Sequence, residues 1–104
     1  MEKPVIFIDG QRIEPAPPKM KVWRAFLQAA DKDLHSEPLE KFMAAQVQLI
    51  VTAFGRPDVV NEQSIEENLE IADVVPLVRK LFTWIQMLTF EKLAAAPNVE
   101  TGQA

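Results

Sequence analysis

At 104 residues, 48% apolar and 25% charged, the chain has the length of one ordinary domain and the composition of a folded globular one, which excludes wholesale disorder and fibrous repeats. With 11 Lys and Arg against 15 Asp and Glu, the net charge of −4 repels a phosphate backbone and argues against nucleic acid as a partner. The chain has no cysteine, which excludes disulfides, Cys-ligated zinc and thiol catalysis, and no apolar run approaches the roughly 18 residues of a membrane span, so the expected compartment is the cytoplasm.

The first apolar run, Pro4-Val5-Ile6-Phe7-Ile8, leads into Asp9-Gly10, a dipeptide that accepts the positive φ angles of a tight turn, and Gln11-Arg12-Ile13-Glu14 follows. This predicts a β-hairpin over residues 4–14. Two strands are not stable alone, so Val5, Phe7 and Ile13 are expected to lie on a helical body, leaving an edge that could pair with another chain. Pro15, Pro17 and Pro18 then make a stiff extended connector.

Met20, Trp23, Phe26, Leu27 and Ala30 recur at steps of three and four residues and predict an amphipathic first helix over residues 19–32. A second helix is expected to start near Ser36 or Glu37, with Pro38 in its first turn, and to carry Leu39, Phe42, Met43, Val47, Ile50 and Phe54 as its apolar stripe. It stops at Gly55, with Pro57 beyond. Asn61 or Ser64 can cap a short third helix, Ser64 and Glu67 having capping-box spacing. Asp73 is the expected N-cap of a long fourth helix that runs to about Ala95, with Pro76 in its first turn. The fold class is therefore mainly α with a short N-terminal β-hairpin, a small single domain of three to four helices. It spans residues 1–96, and residues 97–104 form a flexible C-terminal tail.

Materials for catalysis are thin, with one histidine, two serines and three glycines. His35 and Ser36 are neighbours in a polar stretch, where side chains diverge rather than pair as base and nucleophile, and no Gly-rich loop is present to cradle phosphate. No catalytic, cofactor-binding or metal-binding residue is expected: the sequence predicts a protein that is not an enzyme and carries no cofactor. Residues 58–73 hold Asp58, Glu62, Glu66, Glu67, Glu70 and Asp73 with no Lys or Arg. They form a solvated acidic face or a dock for a basic partner, and their spacing is not that of a calcium loop. The N-terminal part leans basic through Lys3, Arg12, Lys19, Lys21 and Arg24, and such opposite poles could favour self-association.

At about 100° per residue, Val74, Leu77, Val78, Leu81, Trp84, Ile85 and Leu88 gather on one side of the fourth helix. Met87 and Phe90 fall among its polar residues, with Phe82 and Val75 flanking, so the apolar arc is wider than one core contact requires. Either the helix is central to the domain, or it carries a second apolar surface for a partner helix. The residues assigned to partner binding are Phe82, Met87 and Phe90.

Three segments, PVIFIDGQRIEPAPPKMKVWRAF, LIVTAFGRPDVV and SIEENLEIADVVPLVRKLFTWI, are similar to the small tail assembly chaperones of long-tailed bacteriophages that infect Gram-positive hosts. The resemblance runs over residues 4–90. It implies a non-enzymatic protein of the infected cell, absent from the mature virion, that binds the tape measure protein, keeps it soluble and helps recruit the major tail tube protein. It also implies a longer product made by ribosomal frameshifting, of which this chain would be the short form. A weak homo-oligomer suits coverage of a long partner. The competing expectation is a small helical interaction module or prophage regulator that binds a host protein.

Overall fold

The computed structural model describes residues 3–30 and 38–95; the expectations for His35, Ser36 and the tail 97–104 lie outside these residues. Six elements follow in order: β1 (Ile6–Ile8), β2 (Gln11–Ile13), α1 (Met20–Ala30), α2 (Leu39–Phe54), α3 (Glu62–Asn68) and α4 (Ile71–Ala95). The chain is mainly helical with a two-stranded antiparallel N-terminal hairpin.

The hairpin turns on Asp9 and Gly10, whose φ angles of 51° and 83° are the left-handed pair that matches the twist of two antiparallel strands. Ile6 stands opposite Ile13, and Ile8 opposite Gln11. Ile6, Ile8 and Ile13 are buried on one face, while Phe7, opposite Arg12, is 57% exposed on the other. The expected inner face of Val5, Phe7 and Ile13 is therefore corrected by one residue in the first arm. Ile6 shares a face with Ile13 because cross-strand partners point the same way, and Phe7 must then point out.

α1 carries an expected stripe that needs revision. Val22 and Phe26 are the buried residues, with Trp23, Ala25 and Ala29 packed beside them, whereas Met20 and Leu27 face water. α2 buries Gln46, Leu49, Ile50, Ala53 and Phe54; of the expected stripe, Ile50 and Phe54 are core, Met43 and Val47 lean on it, and Leu39 in the first turn is exposed. Pro38 precedes the first helical residue instead of lying inside the first turn. At the other end Gly55, at φ 64°, gives its N–H to the Val51 carbonyl at 3.1 Å, the left-handed cap its position predicts. The Phe54 carbonyl accepts from Ala16 N–H at 3.1 Å, which ties the proline connector to the end of α2.

Asn61, not Ser64, caps α3. The Asn61 side chain accepts from Ser64 N–H at 2.9 Å and the Ser64 hydroxyl accepts from Asn61 N–H at 2.9 Å, so Ser64 is the reciprocal member of the box. α4 begins at Ile71, two residues before the expected cap at Asp73, with a tight first bond from Asp73 N–H to the Glu70 carbonyl at 2.9 Å. Pro76 consequently lies inside the helix, where it offers no N–H to the Ala72 carbonyl; Ala72 is exposed, so water can take that bond. Val74, Leu77, Val78, Leu81, Trp84 and Ile85 are all buried, and together with the hairpin isoleucines, Phe26, Ile50, Phe54, Val60 and Ile65 they make one core. The expected core side of α4 is the observed one.

Candidate partner-binding surface

Leu81 and Phe90 are separated by two and a half turns at about 3.6 residues per turn, which sets them on opposite sides of α4. Leu81 is fully buried and Phe90 is 59% exposed. Met87, three residues before Phe90, is about 60° from it around the axis and 37% exposed, so the two side chains are neighbours on the outer surface of the helix. Large apolar side chains held in water on a helix whose other side is core are the feature that distinguishes a contact face from a buried one.

Phe82 is placed differently. It is half-buried at the core margin, its ring centroid 5.5 Å from that of Phe26 in a stacked arrangement and 5.5 Å from that of Trp23 in a tilted one. These contacts hold α1 against α4. The structure thus brings Met87 and Phe90 together and sets Phe82 apart, at the α1 contact. Further large apolar side chains, Phe7, Met20, Leu27, Leu39 and Ile71, are exposed elsewhere.

The acidic residues 58–73 are all solvent-facing where they carry charge, and among the described residues no group of three His, Cys, Asp or Glu side chains converges as a metal site would require. At the basic end, Arg12 and Lys3 (at 3.4 Å) both reach the Glu14 carboxylate. The hydrogen bond from Arg12, followed by that from Lys3, holds the Glu14 carboxyl below the usual glutamate range. Among the described residues no helix is long and apolar enough to cross a membrane.

The hairpin adds a feature that the inward assignment of Val5 and Phe7 had hidden. A groove of about 740 Å³ runs between the outer edge of β1 and the start of α4, with Val5 and Phe7 on one wall and Leu69, Pro76 and Leu77 on the other. A smaller groove of about 220 Å³ lies between α1 and α2, lined by Ala25, Ala29, Ala45 and the buried Gln46 among others. In comparisons with known proteins the chain matches no family model, no curated protein and no solved structure.

Proposed function

We propose that the protein is a phage tail assembly chaperone, which binds the tape measure protein, keeps it soluble and helps recruit the major tail tube protein while the tail grows. It acts in the host cytoplasm, without catalysis or cofactor, and leaves before the virion is complete. The observation that carries this reading is the Met87 and Phe90 pair, an exposed apolar patch on the outside of the central helix. Methionine and phenylalanine adapt to varied apolar stripes, which suits a chain that must be covered along its length rather than at one epitope. A long helical tape measure protein exposes such stripes and aggregates unless another protein covers them. Many copies, each bound weakly, cover it without any single strong site. The resemblance of the hairpin, the AFGRP helix stop and the fourth helix to that chaperone family supports the same role.

The test is co-expression with the tape measure protein of the same genome. The wild-type chain should move the tape measure protein into the soluble fraction, and the double variant Met87→Ser/Phe90→Ser, folded as well as wild type, should not. A tape measure protein whose solubility ignores the wild-type chain would sink the reading and leave the small interaction module that binds a host protein.

A further inference from the structure

The two-residue turn fixes which backbone groups of β1 are used. Ile8 and Gln11 flank the turn, and Ile6 faces Ile13, so Ile6 and Ile8 direct their N–H and C=O groups toward β2. Those of Val5, Phe7 and Asp9 then point away, along the free edge. Asp9 N–H donates to the Asn68 Oδ1 at 2.9 Å, which closes the edge at the tip. Among the described residues, Val5 and Phe7 remain, beside the groove toward α4.

We propose that β1 is the contact of a symmetric homodimer, in which the outer edges of two copies pair antiparallel about a two-fold axis at Ile6. Phe7 N–H donates to the carbonyl of Val5 of the partner subunit, the Phe7 carbonyl accepts from that residue's N–H, and symmetry repeats both bonds. Two hairpins thereby become one four-stranded sheet. The Asn68 contact excludes an axis at Phe7, which would set Val5 against Asp9, whose N–H is already taken, and an axis at Ile6 is the one that pairs the two outward residues, Val5 and Phe7, with each other. On the outer face, Phe7, now 57% exposed, is covered by Val5 of the partner subunit.

Charge selects a second copy as the occupant. The groove is lined by two cations, Lys3 and Lys80, and two anions, Glu70 and Asp73. An acidic or a basic peptide meets repulsion from one pair, whereas a surface with both signs complements itself across a two-fold axis. Short length limits the edge as an aggregation template, since only Val5 and Phe7 offer outward groups and Asn68 blocks the tip.

This proposal is independent of tape measure binding, and its test reads only the oligomeric state. Sedimentation of the full chain across a wide concentration range should show a monomer–dimer equilibrium. Val5→Pro removes an outward N–H without touching the ladder to β2, and Phe7→Lys places a charge on the outer face. Each should raise the dimer Kd by roughly tenfold or more, with Phe7→Lys still giving the circular dichroism of the folded wild-type monomer at low concentration. If Val5→Pro does not fold, Phe7→Lys decides alone. A chain that stays monomeric throughout, or a dimer that tolerates Phe7→Lys, overturns the proposal; a dimer broken instead by Met87→Ser/Phe90→Ser puts the contact on α4 and overturns it equally.

Discussion

Asn68, the last residue of α3, bridges two parts of the chain 59 residues apart: its Oδ1 accepts from Asp9 N–H at 2.9 Å while its Nδ2 donates to the Ser64 carbonyl at 2.9 Å. The amide is oriented by its own helix and presented to the hairpin tip. Asn68→Ala should therefore lower stability by about 1 kcal/mol, the ordinary net worth of such bonds. Asn68→Asp keeps the acceptor but sets a carboxylate oxygen against the Ser64 carbonyl at the negative end of α3, so it should not recover the loss of the alanine variant. Urea unfolding of the three chains checks the order.

Opposite sides of α4 should respond oppositely. Leu81→Ala empties a fully buried site and should cost about 2–5 kcal/mol, whereas Met87→Ser/Phe90→Ser should stay within about 1 kcal/mol of wild type because both side chains already meet water. Thermal unfolding of each variant makes the comparison. An equal loss in both would mean that the outer face of α4 is core after all.

Phe82 should behave as a structural residue. It stacks on Phe26 and tilts against Trp23, so Phe82→Ala should cost about 2 kcal/mol and loosen α1. Trp23 fluorescence reports this directly: its emission should shift to the red in the variant, while buried Trp84 keeps its position. An unshifted spectrum would count against the α1 contact.

Among the described residues, Glu14 carries the one pH dependence with a clear sign. Its carboxyl is held below the ordinary value by Arg12 and then Lys3, so the folded state prefers the charged form. That contribution is complete above the ordinary glutamate pKa and is lost as pH falls through the lowered one. The carboxylate is exposed, so the effect is small and fades with salt. Glu14→Gln should remove it: wild type and variant should differ slightly at neutral pH and low salt and converge in acid.

Punctuation made most of the architecture legible. Asp9-Gly10, Gly55 and Asn61 have local conformational reasons to sit at a turn, a helix end and a helix start, and each does. The core side of α4 was equally readable, because six residues at consistent helical spacing outvote any one exception. Faces failed where the pattern was ambiguous. Residues 4–8 are all apolar, so β1 has no alternation to read, and only pairing with Ile13 selects Ile6 and Ile8 as the inner face. In α1, apolar side chains occupy both the inner arc, with Val22 and Phe26, and the outer one, with Met20 and Leu27; tertiary packing alone chooses between them. The groove beside β1 was hidden for the same reason, since assigning Val5 and Phe7 inward removes its wall.

The hairpin's two anchors have a kinetic meaning. Ala16 is tied to Phe54, and Asp9 to Asn68, so nothing the N-terminal strands dock upon exists until far later residues are in place. Closing such long loops is entropically expensive and comes after local helix formation. During synthesis the strands leave the ribosome before the helices, yet Ile6, Ile8 and Ile13 stay uncovered until α3 has emerged. The strands, made before the helices, are thus the last to find their places. Loosening the Asn68 tether should accordingly quicken unfolding and leave the refolding rate near that of wild type.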